Sequence, residues 1–575
     1  MGIDETQIFP QINFCWKLFR VISTEMDNQP ATNSSRSPLV RFWPWLVVLV
    51  VLLFVGYIRV RLLEMPLERD EGEYAYAGQL ILQGIPPYEL AYNMKLPGTY
   101  FAYALGMKIF GQTPTGIHLT LLAVNSLTII FVFLLGRKLF GVTAGLVACA
   151  SYALMSVSPA VYGMAAHATQ FVVLFAVPAT LLLWNASESN RAGTLFFNGL
   201  LYGLAFLMKQ QGICFCLFGG FFLVWAQMQN KPVAWLELVK KIFIIGLGIF
   251  LPFGLTCIYL EKAGVFPKFW FWTIAYASSY ATAKSLWAGL QLFIMYLQAT
   301  FVVYLGFWVL AVAGLLLALR KEAIQRQIIF IMGFLFFGFL GTATGLYFRG
   351  HYFVLLLPAF AIVVGLAVSL LQQAGQSRTW KAVPLIIFAA VLGWNVFVSK
   401  DLYFQLTPEQ VNRVIYYDNP FVESVAVAKY IREHSSADAR IALVGSEPQI
   451  YFYAQRHSAT GYIYTYALME SQPYAATMQR EMIREIESNK PEYLVWVGYK
   501  LSWMVNSSSD LQIFGWFQKY AGEFYEKVGI VDTRATGETI YLWDDDARNY
   551  HGSVEQYLVV YKRKPGVETV PAKPD

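Results

Sequence analysis

A polytopic α-helical membrane protein with about 11 transmembrane helices and a C-terminal extracytoplasmic α/β domain is the fold class the sequence predicts. Three observations predict it. Hydrophobic residues make up 57% of the 575 residues and charged ones only 14%, with a mean hydropathy of +0.46, well away from the balance of a soluble domain. Apolar runs long enough to cross hydrocarbon recur from Trp43 to Val398. Beyond Lys400 the pattern changes to short strand-like and helix-like segments in alternation.

Residues 1–42 are polar, with Gln29-Pro30-Ala31-Thr32-Asn33-Ser34-Ser35 reading as flexible chain, and form an expected cytoplasmic tail. The first apolar run begins too late and runs too long for a cleavable signal peptide. Windows of ~20 residues place spans at 43–63, 117–135, 141–160, 169–184, 195–208, 212–228, 241–260, 290–318, 327–347, 352–371 and 382–398. The fifth and sixth are short and meet at Lys209-Gln210-Gln211, as half-spans or a kinked pair would.

Charge sets the expected orientation. With the N-terminus cytoplasmic, the inside loops carry Arg137, Lys138, Arg191, Lys231, Lys240, Lys241, Arg320, Lys321, Arg326, Arg378 and Lys381, as the positive-inside rule requires. The loop 64–116 then lies outside, and an odd span count puts 399–575 outside as well. From Lys400 on there are 18 Lys and Arg against 23 Asp and Glu, a net −5, while the rest of the chain is +11. The overall +6 therefore reflects cytoplasmic loops and gives no sign of nucleic-acid binding.

The C-terminal region 399–575 reads as a helix Val422 to Glu433, a strand Ile441 to Val444, a helix Ala475 to Ser488, and strands at Tyr493 to Val497, Thr539 to Trp543 and Tyr557 to Tyr561. The five cysteines lie in the tail or in apolar segments (Cys15, Cys149, Cys214, Cys216, Cys257), so no disulfide framework is expected in that domain. Asp544-Asp545-Asp546 reads as a solvated strand end.

The loop after the first span concentrates charge. Glu68-Arg69-Asp70-Glu71-Gly72-Glu73-Tyr74 opens an amphipathic helix reaching about Leu82, too polar to cross the bilayer and suited to its interface. Lys95 follows as a lone cation in Asn93-Met94-Lys95-Leu96-Pro97-Gly98. Carboxylates near a lipid boundary are costly and point to chemistry there. Asp70 could instead be a helix N-cap with Glu73 completing a capping box, and both roles remain open at this point.

The segment Arg69 to Ala77, then Pro87-Tyr88 and Lys95 to Tyr103, resembles the first outer loop of the GT-C membrane glycosyltransferases. The protein O-mannosyltransferase and lipid A aminoarabinose transferase group is the branch it is most similar to. That group carries an acidic pair after the first span and a Lys-Pro-Pro motif; here Lys95-Leu96-Pro97 lacks one proline. Gly203 to Gln210 and Arg349 to Pro358 also resemble stretches of these enzymes, as does Ser446 to Tyr453 without an assigned role.

The resemblance implies transfer of a sugar, hexosyl or pentosyl, from a polyprenyl-phosphate donor to a lipid, glycan or protein hydroxyl at the outer face of a bacterial inner (plasma) membrane. Such chemistry needs a base for the acceptor proton and cations for the departing phosphate. Asp70 fits the base, with Glu71 as its partner or a ligand, and Lys95 and Arg349 fit the phosphate site. Arg69, Tyr74, Lys209 and His351 complete the candidate substrate-binding set. Lys209 could equally snorkel, and His351 could equally pack at the interface. The relatives carry an acidic residue near His167, where Thr169 and Gln170 stand here, so a second catalytic carboxylate stays open. No cofactor is required by this reading, and a divalent metal is left open. The competing class is a transporter or flippase of lipid-linked glycans, which should show internal pseudo-symmetry and ionisable residues at mid-membrane; neither is visible. A third reading, an inactive scaffold that presents the outer domain, is disfavoured by intact Asp70, Glu71 and Lys95.

Overall fold

The computed structural model describes residues 38–187, 191–229, 232–533, 538–550 and 555–566. Tail positions before 38, with Cys15, and the loop cation Lys231 lie outside the described residues. Val48–Asp575 forms one compact unit, and the described part of Met1–Val47 is the opening of the first helix, Pro38–Arg61.

Among the described residues eight helices are long and apolar enough to span a membrane. Leu286–Ala318 adds a ninth span bent by 99° near its middle. Val142–Met155 and Ala192–Met208 are shorter apolar helices. Each of the eleven expected segments therefore meets a helix. Several are corrected in length: 141–160 contracts to Val142–Met155, because Pro159 starts a separate 3₁₀ turn, 290–318 begins four residues earlier at Leu286, and 117–135 and 241–260 lengthen to Pro114–Phe140 and Trp235–Lys262. The segment at 352–371 opens as a 3₁₀ turn, Gly350–Leu355, before Leu357–Ala374.

Close helix approach rests on small residues, as it does where hydrocarbon supplies no hydrophobic drive. Ala192–Met208 packs on Trp235–Lys262 with Gly199 and Gly203 against the backbone of Ile245 and Ile249; a methyl at either glycine would collide with those carbonyls.

The amphipathic helix is Arg69–Leu82 and is followed by Gly98–Phe110. Over it sits the C-terminal domain. Its six strands are β1 (Arg440–Val444), β2 (His457–Ser458), β3 (Tyr493–Val497), β4 (Tyr525–Thr533), β5 (Thr539–Trp543) and β6 (Gln556–Arg563). They lie in the order β2-β1-β3-β6-β4-β5, with β1 parallel to both neighbours and the other pairings antiparallel. Runs such as Ile441-Ala442-Leu443-Val444 are buried on both faces, as central parallel strands require. The helices Phe421–Glu433, Ala475–Asn489 and Gln512–Phe524 cover the sheet.

The domain is bonded to the membrane part along the amphipathic helix. Tyr76 stacks on Tyr451 at 5.1 Å and its hydroxyl accepts from Ser458 N at 2.7 Å. Leu67 N donates to the Tyr453 hydroxyl at 2.8 Å. Gly72 meets Gln449 so closely that an added Cβ would lie 2.6 Å from its backbone nitrogen.

Candidate active site

Helix Arg69–Leu82 begins with a capping box, and its members are Glu68 and Glu71: the Glu68 carboxylate accepts from Glu71 N at 2.9 Å, and Glu71 reaches back to Glu68 N at 3.4 Å. Asp70 is therefore not the N-cap, and its side chain is available for other work. Asp70 and Glu73, three residues apart on one helical face, converge on the Lys95 ammonium at 2.8 and 2.6 Å. Tyr100 donates to Glu73 at 2.6 Å, and Tyr464, carried by the C-terminal domain, donates to Asp70 Oδ1 at 3.2 Å.

A cavity of about 400 Å³ opens on this cluster, lined among others by Asp70, Lys95, Lys209, Arg349, His351 and Tyr464. Five separated stretches of the membrane part thus reach one space, the fifth being Trp272 to Ala281. A second cavity of about 810 Å³, mostly walled by the C-terminal domain, shares Arg349, Tyr466 and Glu470 with the first. A third, of about 360 Å³, lies among the spans and is lined by Phe293, Tyr296, Trp308, Phe353, Phe360 and other apolar side chains. The turn Gly350–Leu355 serves two of these cavities, His351 and Tyr352 facing the first and Phe353 the third.

Three residues expected at the substrate do not line the first cavity. Arg69 is consumed by the C-terminal domain: its guanidinium pairs with Glu447 at 2.5 Å and donates to Ser446 O at 2.5 Å and the Tyr466 hydroxyl at 3.0 Å. Glu71 is fully buried; it accepts from Ala166 N at 2.6 Å and faces His118 Nε2 at 3.3 Å, so it fixes the backbone next to His167. Tyr74 lies beneath Lys95, with the ammonium 4.5 Å from its ring centre.

Electrostatics set the resting state. Burial would lift the Asp70 pKa, but Lys95 outweighs it and holds the carboxyl well below the usual carboxylate range. Burial would likewise lower Lys95, and Asp70 with Glu73 keeps it protonated above its ordinary value. Burial raises Glu73. Lys209, desolvated and facing Lys95 and Arg349, is lowered to about 7, against the pull of Asp70. Burial also drives His167 down to about 4 and His351 well below its ordinary value, so both imidazoles are neutral. The two rings stack with centroids 4.2 Å apart. Asp70, His167 and His351 form the group among the described residues whose donor atoms could hold a metal, all within 4.8 Å of one another.

Sequence reasoning missed Glu73 as a partner of Lys95 and missed Tyr464 and Tyr466 altogether. Glu73 had a signal, its i,i+3 spacing from Asp70. The tyrosines had none, because a contact spanning nearly four hundred residues leaves no local pattern.

Residues 95–255 match the family model described as dolichyl-phosphate-mannose-protein mannosyltransferase. No curated protein matches the chain. Among solved structures, ArnT from Cupriavidus metallidurans bound to undecaprenyl phosphate is similar at 14% identity, with 90% of this chain and 98% of that chain covered and a TM-score of 0.56. Its apo state gives 14%, 91%, 98% and 0.55. The Archaeoglobus fulgidus oligosaccharyltransferase tethered with an acceptor peptide gives 13%, 88%, 74% and 0.50. This integral membrane protein therefore has the fold of the GT-C glycosyltransferases, with a small sheet domain at its C-terminus.

Proposed function

We propose that the protein moves a sugar from a polyprenyl-phosphate donor to a lipid, glycan or protein hydroxyl at the outer face of the membrane, with a cytoplasmic N-terminus. The observation that carries this reading is the convergence of three cations, Lys95, Lys209 and Arg349, on the cavity that exposes Asp70. A phosphate is the ligand such a set suits, and the adjoining apolar cavity suits a prenyl chain.

The acceptor oxygen bonds to the anomeric carbon while the bond from that carbon to the phosphate oxygen breaks, its electron pair leaving with the polyprenyl phosphate. The acceptor proton passes to Asp70. At rest Asp70 is a weak base, because Lys95 stabilises its anion. A bound phosphate competes for that ammonium, weakens the Asp70 pair and raises its basicity where the proton must be taken. Glu73 keeps Lys95 in place through the exchange. Arg349 adds a planar, permanently charged donor for the developing phosphate charge.

Transport is disfavoured by the clustering of these groups at the helix ends beside the C-terminal domain. The test is mass analysis of glycans and lipid-linked sugars in a deletion strain complemented with wild type or with Asp70→Asn. Accumulated donor and an acceptor lacking one sugar in both the deletion and the Asn strain support transfer; an unchanged acceptor population in the deletion overturns it.

A further inference from the structure

The C-terminal domain presents an apolar lip beside the ends of two membrane helices. From Tyr493 to Ser509 the chain carries Lys500 as its one charge and no acid, in a domain of net −5. Strand β3 and its core contacts account for the first part of this stretch. They do not account for Leu501, Met504 and Val505, which are 41%, 50% and 49% exposed. Large apolar side chains clustered on one surface mark a contact with something apolar. Their exposure is built into the backbone. Trp503 Nε1 donates to Val497 O at 2.7 Å, and the Tyr466 hydroxyl donates to Leu501 O at 2.6 Å. Asn506 and Ser509 both donate to Met469 O, at 2.9 and 2.6 Å. Between these anchors Met504 takes a left-handed backbone, φ 55°, which a long side chain adopts only where its surroundings enforce it. The chain is thus fastened with three apolar side chains left uncovered.

Their position says what covers them. Lys500, Leu501, Met504 and Val505 wall the cavity of about 810 Å³ together with Lys284 and Tyr347 of the membrane part. Lys284 stands two residues before Leu286, where the bent span Leu286–Ala318 begins, and Leu286 and Trp287 are themselves exposed. Tyr347 directly follows the span Glu322–Leu346. Two spans therefore end beside the lip, at the level where hydrocarbon gives way to headgroups, and Trp287 is a residue type that this level favours. We infer that residues 500–505 rest in the headgroup region of the adjoining leaflet. Leu501, Met504 and Val505 reach the acyl-chain boundary, while Lys500 and Lys284 face anionic lipid phosphates. An apolar face with a basic flank is the pattern that lies in an interface, and each lysine near an anionic surface strengthens the attachment. Because 493–509 contains no carboxylate, nothing in the lip repels such a surface, unlike the acidic remainder of the domain. The inference needs only that the helices cross a membrane; it is independent of sugar transfer and of which side the domain occupies.

The test places the full chain, carrying Met504→Cys labelled with bimane, in nanodiscs of phosphatidylcholine and phosphatidylglycerol. The signal of the identically treated unsubstituted chain is subtracted. Blue-shifted emission is expected, quenched by phosphatidylcholine bearing a doxyl group near its headgroup and protected from aqueous iodide. Adding Leu501→Ser and Val505→Ser to the labelled chain should withdraw the label, so that doxyl quenching is lost and iodide quenching appears. Should that variant misfold, the label on the otherwise intact lip decides alone, since it reports its own depth. Emission quenched by iodide and untouched by doxyl lipid overturns the inference. A label protected from both quenchers overturns it as well, because protein, such as a second copy of the chain, then covers the lip.

Discussion

Asp70 stands beside a capping box it does not belong to, and this separates its chemistry from helix stability. Replacing it with Asn leaves Glu68 and Glu71 at the helix start and leaves Lys95 paired with Glu73. Asp70→Asn should therefore express and fold near normally while transfer falls by ~10²–10⁴, the usual contribution of a general base; wild-type turnover in a sugar-transfer assay would remove Asp70 from the mechanism. Lys209 gives a second prediction at this scale. Lowered to about 7, it is protonated below that pH and neutral above it. Affinity for a polyprenyl phosphate should thus weaken as pH rises through neutrality, by roughly tenfold for one charge-assisted contact. Lys209→Arg, charged throughout, should flatten the profile; a parallel slope in both proteins, read by donor titration, places the titration elsewhere.

Among elements, the amphipathic helix is held from above as firmly as from below. Arg69 enters the C-terminal domain to meet a fully buried Glu447. Removing one member of such a pair leaves an uncompensated charge, typically a loss of ~3–5 kcal/mol. Glu447→Gln should accordingly lower the thermal midpoint and expose the domain to limited proteolysis; an unchanged midpoint would mean the pair contributes nothing net. Gly72→Ala should produce a similar loosening without touching charge, since its methyl would press on the Gln449 backbone. The element pattern was largely legible in advance. Strand β3 and helix Ala475–Asn489 stand out because a continuous apolar run and a 3.6-residue period survive intact in their sequences. Strand β4 does not: its register shifts between Lys527 and Gly529, and the bulge interrupts the alternation by which a strand is read. The site was legible only where its residues share a local motif. Asp70 and Lys95 do; Glu447 and Tyr464 acquire meaning only once the domain has docked. Glu71 was visible as a charge, but its direction depends on which residue caps the helix.

For the whole molecule, the topology we propose, eleven crossings with a cytoplasmic N-terminus, puts the two termini on opposite sides of the membrane. A green fluorescent protein fused after Asp575 should stay dark in a bacterial host, while a phosphatase that matures outside the cytoplasm should be active there; a bright fusion reverses the topology. Because the domain supplies Tyr464 to Asp70 and holds Arg69, a chain ended after Val398 should insert yet lack donor turnover. Retained turnover would make the domain dispensable to the chemistry.

The bond from Tyr464 to Asp70 joins positions 394 residues apart. During synthesis, Asp70, Lys95 and their helix enter the membrane long before the ribosome reaches that tyrosine. The nascent chain therefore passes most of its elongation with its pocket unfinished. Completion of the pocket is thus tied to one late event, the folding of the last domain onto the first loop, and under the proposed function a prematurely terminated chain should be silent rather than uncontrolled.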